Sequence, residues 1–305
     1  MILTLTLDPM VEQLFPVPGL ELGRAYRPPS ALTTTSGTAL NVARTLNDLG
    51  EPVMAVVAAG GRRGREIEER LLDEGLPHRV VGVRRESRAG VTLYGQGSRT
   101  TVHGPRTALS DHDVEAVLAT MRGLAPARAI VLGGGTLRPD LYRRICAMGV
   151  PVVLDCCGPT MNDCIRVGNV LVACPDRYEC LEVFGCEDPL QGVRSLGRRG
   201  ARWAVILEDH PALATYRTGG ASYRVKAPDL PVIQPGGADD ALLGGLIFAQ
   251  GRGPRKAIAF AAACGLHNMQ RVDVAHVDPA ACEALAQRIE VVEIGRRCSD
   301  RQVLA

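Results

Sequence analysis

The sequence contains little lysine and almost no net charge. Of its 35 basic residues only Lys226 and Lys256 are lysines, so few ammonium groups are available as phosphate ligands. The formal net charge of +2 creates no overall field that would attract nucleic acid or an anionic membrane. We therefore expect neither nucleic acid nor a membrane as a partner.

The sequence also lacks the features of an exported protein and of a zinc site. Its first eight residues have neither the basic region nor the long apolar run of a signal peptide, and no later segment is long enough to span a membrane. We expect a cytoplasmic protein with reduced thiols. The ten cysteines include no C-x-x-C pair, and no histidine near the evenly spaced Cys174, Cys180 and Cys186 completes a zinc pattern. Most cysteines are expected to be small buried hydrophobes.

What is present is an alternation of short apolar runs with helical patterns. The runs fit strands buried on both faces of a parallel sheet, and they lie at 2–7, 53–58, 129–132, 150–155, 170–173 and 203–207. Helices are predicted at 39–49, at 65–74 with Ile67, Leu71 and Leu72 inward, and after a cap at 110–113. The C-terminal third is predicted to be mainly helical, at about 240–250, 255–269 and 279–289. With 305 residues, 46% of them hydrophobic, the chain can form one large α/β domain or two smaller ones.

Two stretches interrupt this alternation. Residues at about 12–35 and 86–106 are rich in Thr, Arg, Gly and Pro and contain only short alternating pieces. They predict β structure outside the main sheet, in the manner of a lid.

The strongest candidate for chemistry is the segment 234–245, which reads Q-P-G-G-A-D-D-A-L-L-G-G. Its small residues let the backbone approach a ligand closely, and the helix that follows offers N–H groups to an anion. Asp240 at the start of that helix could accept a proton from an attacking hydroxyl group. An acidic cap after a glycine turn has the same appearance, and spacing alone favours that interpretation.

This segment resembles the G-A-G-D signature of the PfkB family of sugar kinases. Further segments resemble motifs of its 1-phosphofructokinase and tagatose-6-phosphate kinase branch, in the same order: T-L-D-P at 6–9, S-G-T-A-L-N-V-A-R at 36–44, S-R at 87–88, G-G-G at 133–135 and P-D-R-Y-E at 175–179. One such motif is weak evidence, whereas six in order are specific for a family. The resemblance spans roughly residues 1–294.

The resemblance implies a ribokinase-like three-layer α/β/α fold, with residues 1–305 in a single domain and the lid at 12–35 and 86–106. It implies transfer of the γ-phosphoryl group of ATP, with Mg²⁺, to a hydroxyl group of a sugar or sugar phosphate. Asp240 would be the base, and the helix dipole is expected to favour its ionised form. The other implied residues are Gly237, Ala238 and Asp239 for the anion hole, Asp8, Glu12, Gly37, Asn41 and Arg88 for the substrate, Leu207, Glu208 and Asn268 for the nucleotide, and Asp176 and Glu179 for the metal.

The sequence departs from the family pattern at several of these positions. Asp239 stands at the second glycine of G-A-G-D, and Glu208 at the glycine of the S-L-G-x-x-G nucleotide turn, so both add negative charge where phosphate is expected. Thr38 replaces the lysine of G-G-K-G and removes a cationic phosphate contact. The remaining departures are Glu12 for Asp, Asp176 for Asn, and Gly133 and Gly135 for the serines of S-G-S.

Two functions remain open from the sequence. One is a kinase adapted to another substrate, and the replacement of lysine by Thr38 favours an uncharged one. The other is a catalytically impaired homologue that binds a ligand or a partner. A dinucleotide-binding oxidoreductase is disfavoured, because the loop at 59–64 lacks the first glycine of G-x-G-x-x-G. Pairing of lid strands, as the resemblance implies, would form a homodimer.

Overall fold

The computed structural model describes residues 1–106, 109–124, 126–135, 138–156, 158–208 and 214–296. The strands are β1 Ile2–Thr6, β2 Met10–Pro16, β3 Leu32–Ser36, β4 Val53–Ala59, β5 His78–Gly82, β6 Arg88–Gly95, β7 Ser98–His103, β8 Ala129–Gly133, β9 Val152–Asp155, β10 Val170–Ala173, β11 Trp203–Ile206, β12 Thr215–Thr218, β13 Ala221–Lys226 and β14 Glu290–Arg296. The α-helices are α1 Thr38–Asp48, α2 Gly61–Asp73, α3 Asp111–Gly123, α4 Pro139–Cys146, α5 Pro159–Val167, α6 Arg177–Phe184, α7 Pro189–Arg198, α8 Ala238–Ala249, α9 Pro254–Met269 and α10 Pro279–Ala286.

Ten strands form the main sheet, in the order β14-β13-β12-β11-β10-β9-β8-β1-β4-β5. The seven strands from β11 to β5 in this order pair in parallel, and β12, β13 and β14 extend one edge antiparallel. The carboxyl ends of the parallel strands therefore share one edge, where ligand sites of open α/β sheets occur.

Helices cover both faces of the main sheet, because its parallel strands are apolar on both sides. Along β8, Ala129 and Val131 belong to one hydrophobic cluster, and Ile130 and Leu132 belong to the other. The first cluster also contains buried residues of α1, α2, α8 and α9, and the second contains those of α3, α4, α5 and α7. The result is the three-layer α/β/α arrangement expected from the alternating pattern.

A second, four-stranded sheet has the order β3-β2-β6-β7, and we call it the small sheet. Strands β2 and β6 are parallel, and the two outer pairs are antiparallel. Its strands come from the two stretches predicted to form β structure outside the main sheet.

Two details of the predicted helix at 65–74 are wrong. Helix α2 begins four residues earlier, because the Glu86 carboxylate accepts hydrogen bonds from the backbone N–H groups of Arg62 and Arg63. This cap comes from a distant part of the chain and leaves no local signal. Leu72 was predicted to face inward, but 66% of its surface is exposed.

The C-terminal third is less helical than predicted, since β13 and β14 lie in it and pair with each other. Strand β12 was also missed, although Gly219 and Gly220 between β12 and β13 form the two-residue glycine turn typical of a hairpin. Within the described part of the chain, every helix is too short or too polar to cross a membrane.

Candidate active site

A cavity of about 190 Å³ lies between the small sheet and the carboxyl ends of β1 and β8. All five residues predicted to contact the substrate line it, namely Asp8, Glu12, Gly37, Asn41 and Arg88. They come from the loop after β1, from β2, from the start of α1 and from β6. The fold thus brings together side chains that are up to 80 residues apart in the sequence.

The two acidic residues of this cavity both have partners. The Asp8 Oδ2 atom lies 3.1 Å from Arg88 Nε, and both side chains are largely buried. Glu12 is buried in the small sheet, where its Oε1 atom accepts a hydrogen bond of 2.5 Å from Thr92 Oγ1. Both carboxylates can accept hydrogen bonds from the hydroxyl groups of a polyol.

Asn41 connects the cavity to Asp240. Its Nδ2 atom donates a 2.7 Å hydrogen bond to Asp240 Oδ2, and its Oδ1 atom accepts a 2.8 Å hydrogen bond from Arg44 Nη1. Arg44 is 1% exposed and donates from Nε to Glu74 Oε2 at 2.8 Å. This chain of contacts orients the Asn41 amide so that its NH₂ group faces the carboxylate. Arg44 is a positioning residue. From the sequence it was noted only as the last residue of the motif at 36–44, with no role assigned.

Burial makes Asp240 a weaker acid than an exposed aspartate. It raises the pKa of Asp240 to about 7, with a further rise from Asp239, while the hydrogen bond from Asn41 and the charges of Arg99 and Arg44 act in the opposite direction. The helix dipole was expected to favour the ionised form, but desolvation of the charged form raises the pKa of Asp240 overall. Near neutral pH, Asp240 therefore exchanges a proton readily.

The turn before α8 depends on a glycine. Gly237 has φ 79°, and a Cβ atom there would lie 2.6 Å from Val274 Cγ1 and 2.9 Å from the backbone nitrogen of Ala275. The side chain of Gln234 holds the turn, accepting from the Gly236 N–H at 2.6 Å and donating to its carbonyl at 3.1 Å.

The three residues predicted for the anion hole are the first two residues of α8 and the glycine before it. The Ala238 N–H donates a long hydrogen bond of 3.3 Å to the carbonyl of Pro235. First-turn N–H groups of a helix have no intrahelical acceptor, so those of Gly237, Ala238 and Asp239 can be offered to an anion. Desolvation by the surrounding protein raises the pKa of Asp239 to about 6, although part of its side chain is exposed.

Asp155, at the end of β9, was not singled out from the sequence. Burial raises its pKa well above the usual range, and the charges of the other acidic groups raise it further: Asp240, Glu179, Asp239 and Asp176. These five residues form what we call the acidic cluster. A carboxylate at the carboxyl end of a buried parallel strand is the signal that could have identified Asp155.

The two predicted metal ligands cap α6. The Glu179 N–H donates to Asp176 Oδ1 at 2.7 Å, and the Asp176 N–H donates to Glu179 Oε2 at 3.0 Å. Among the described residues, no three His, Cys, Asp or Glu side chains are arranged to hold a metal ion. Mg²⁺ usually takes one or two carboxylates together with water and phosphate oxygens, so the donor chemistry of Asp176 and Glu179 fits that ion.

The three predicted nucleotide-binding residues lie in different environments. Leu207 pairs through its backbone with the start of α6, with hydrogen bonds of 2.9 and 3.1 Å. Glu208 accepts a hydrogen bond from Thr215 Oγ1 at 3.1 Å, and the rest of its predicted turn, 209–211, lies outside the described residues. Asn268 is fully buried in α9, and its Nδ2 atom donates to the carbonyl of Asp273 at 3.1 Å.

Three basic side chains of the cavity were not predicted as site residues. Arg99, His103 and Arg106 lie on or just after β7. Burial, followed by the charge of Arg88, lowers the pKa of His103. The lid segment was predicted, but nothing in its sequence indicated which of its side chains face the cavity.

The fold and the cavity define a ribokinase-like three-layer α/β protein whose second sheet borders a ligand cleft. A sequence model of the pfkB family carbohydrate kinases matches residues 8–281, and the chain belongs to this family. The family uses ATP, usually with Mg²⁺.

Solved structures show the same fold at low sequence identity. A Thermotoga maritima protein described as a possible 1-phosphofructokinase is 19% identical with a TM-score of 0.85, over 96% of this chain and 99% of that one. Phosphofructokinase-2 from Escherichia coli, in complex with fructose-6-phosphate, is 18% identical with a TM-score of 0.83, over 94% and 98%. A carbohydrate kinase from Agrobacterium tumefaciens is 16% identical with a TM-score of 0.70, over 95% and 99%.

Proposed function

We propose that the protein transfers the γ-phosphoryl group of ATP to a hydroxyl group of a sugar or sugar phosphate. The observation that carries this proposal is the hydrogen bond of 2.7 Å between Asn41 and Asp240, which joins the cavity to the glycine turn of α8. An acceptor in the cavity thereby lies beside a carboxyl group whose pKa is about 7. A general base works best when its pKa lies near the working pH.

The side chains then take distinct roles in this reaction. Asp8, Glu12, Gly37, Asn41 and Arg88 hold the acceptor, and Asp240 takes the proton of its attacking hydroxyl. The N–H groups of Gly237, Ala238 and Asp239 receive the negative charge of the moving group. Asp176 and Glu179 would hold Mg²⁺, which neutralises phosphate charge when bound. Leu207, Glu208 and Asn268 belong to the nucleotide side.

The test compares two neighbouring carboxylates. Parent protein, Asp240→Asn and Asp239→Asn are assayed with Mg-ATP over a panel of sugars and sugar phosphates. Asp240→Asn keeps the shape and removes the base, so the rate should fall roughly 10²–10⁴-fold with little change in ATP affinity. Asp239→Asn should cost far less. A tolerated Asp240→Asn with an inactive Asp239→Asn shows that the base is Asp239 instead.

The pH dependence gives a second readout of the same base. Because only ionised Asp240 can accept a proton, kcat/KM of the parent protein should rise with pH through about 7 and then level off. A profile that is flat between pH 5 and 9 argues against Asp240 as the base.

One observation favours the alternative of an impaired homologue that binds a ligand or a partner. The acidic cluster gathers carboxyl groups close to the turn that would receive phosphate, and one of them, Asp239, stands where the family motif has a glycine. The same screen decides between the two functions. Binding of Mg-ATP or a sugar without turnover of any acceptor by the parent protein supports the binding role.

A further inference from the structure

Arg99 of the small sheet lies against the turn that begins the anion hole. A Cβ atom on Gly236 would be 2.7 Å from Arg99 Nη1, so the guanidinium group occupies the space that a side chain at 236 would fill. The turn precedes α8, whereas Arg99 belongs to β7. The two parts of the fold that border the cleft meet at this contact.

The charge of Arg99 is directed at the reacting groups. It lowers the pKa of both Asp239 and Asp240, against the effect of burial. Arg99 makes no ion pair and no side-chain hydrogen bond with any other residue that the structure describes, and it lines the same cavity as Asn41. Its donors are therefore not committed to protein acceptors.

The surrounding site needs a cation. The chain has only two lysines, and Thr38 lies in the cavity where the motif supplies a lysine. An incoming phosphoryl group meets Asp239 and Asp240 at the turn, and neither carboxylate has an ion-pair partner among the described residues. A guanidinium group presents several N–H donors that match phosphate oxygens.

We propose that Arg99 is a catalytic residue which the small sheet supplies to bind the phosphoryl group during transfer. This inference rests on the proposed function. In the step, the acceptor oxygen bonds to the γ-phosphorus, the bond from that phosphorus to the bridging oxygen breaks with its electron pair going to ADP, and the proton passes to Asp240. Arg99 donates hydrogen bonds to the phosphoryl oxygens and exchanges no proton.

Three substitutions test this role in the full chain with Mg-ATP and the best acceptor. Arg99→Met should lower kcat roughly 10²–10³-fold, the effect of losing a donor to transition-state charge, while the acceptor KM changes little. Arg99→Lys keeps the charge and should recover part of the rate. Arg79→Met removes the charge of an exposed residue on β5 that does not line the cavity, and it should match the parent protein. Thermal unfolding of each variant reports on folding.

A double variant separates phosphate binding from simple charge balance. If Arg99 served only to offset Asp239, then Asp239→Asn would restore the activity of Arg99→Met. We expect no restoration, because the phosphoryl group has still lost its donor. Full restoration, or an Arg99→Met variant as active as Arg79→Met, overturns the role of Arg99 and leaves the kinase intact. A parent protein that transfers phosphate to no acceptor overturns the proposed function, and the role of Arg99 with it.

Discussion

At the scale of residues, the acidity of Asp240 is decided by opposing neighbours. Burial disfavours the charged carboxylate, whereas Asn41 donates to it and two arginine charges favour it. Burial has the largest effect, so Asp240 is about half ionised at neutral pH, whereas an exposed aspartate would be almost fully ionised. The same balance explains why Asp239, which is exposed and near Arg99, is affected less.

The raised pKa of Asp240 predicts that the folded protein becomes less stable as pH rises. The folded-state pKa of about 7 lies above the ordinary value of 3.8, so between these values the native state binds more protons than the unfolded state. The stability that Asp240 contributes is complete below about pH 4 and is lost as pH rises through 7. Asp240→Asn should therefore raise Tm relative to the parent protein at pH 8 but not at pH 4. An equal difference in Tm at both pH values contradicts this.

Substitution of Glu208 is predicted to change the affinity for the nucleotide. It stands where the family's nucleotide-turn motif has a glycine, and its carboxylate accepts a hydrogen bond from Thr215 Oγ1. Removing its charge in Glu208→Gln, or the whole side chain in Glu208→Gly, should tighten Mg-ATP binding by about 1 kcal/mol. Isothermal titration measures this, and unchanged or weaker binding in both variants means that the carboxylate points away from the phosphates.

At the scale of elements, the position of Asp240 depends on how closely α8 packs. A Cβ atom on Gly244 would lie 2.8 Å from Thr45 in α1, and one on Gly245 would lie 2.8 Å from Cys264 Sγ and 3.1 Å from the Cα atom of Ala261 in α9. These adjacent glycines let α8 lie against both helices. Because Asn41 is on α1, this packing also sets its distance from Asp240.

This packing predicts that alanine substitutions at two glycines will have different effects on stability. Gly245→Ala should lower the free energy of unfolding by about 1–3 kcal/mol, because the added methyl group meets backbone on α9 that cannot yield easily. Gly251→Ala is the control, since its added methyl group meets nothing within 4 Å, and stability should be unchanged or slightly higher. Urea denaturation compares the two. Equal stability of both variants argues against tight packing of α8.

At the scale of the whole molecule, the small sheet has two different faces. One face borders the cavity through Met10, Glu12 and Arg88. On the other, Val91 and Val102 are register partners on neighbouring strands, and both are exposed. Contiguous exposed apolar surface is one sign of a face that another chain covers, and these two valines would form the centre of such a face.

This surface makes the predicted homodimer testable. If two small sheets pair through it, the parent protein should have twice the mass of one chain in solution, and Val102→Asp should shift it to the monomer. Val167→Asp is a matched control, since Val167 is an exposed valine at the end of α5, away from the small sheet. Light scattering after size exclusion measures the mass, and a parent protein that is monomeric contradicts the prediction.

Local sequence predicted six of the seven parallel strands, all but β5, together with the two β stretches outside them and the segments that carry Asn41, Arg88 and Asp240. These features depend on local periodicity and on motifs of a few consecutive residues, so neighbouring residues along the chain are enough to predict them. The hairpin of β12 and β13 was equally local, through Gly219 and Gly220, and could have been predicted.

The start of α2, the electrostatic coupling of Asp155 to Asp240, and the contact of Arg99 with the turn of α8 came from the three-dimensional structure. Each depends on groups that are distant in the sequence, as Glu86 is from Arg62. The pKa of Asp240 also depends on distant residues. Desolvation is caused by all the groups packed around a carboxyl group, and most of these groups are not its neighbours in the sequence.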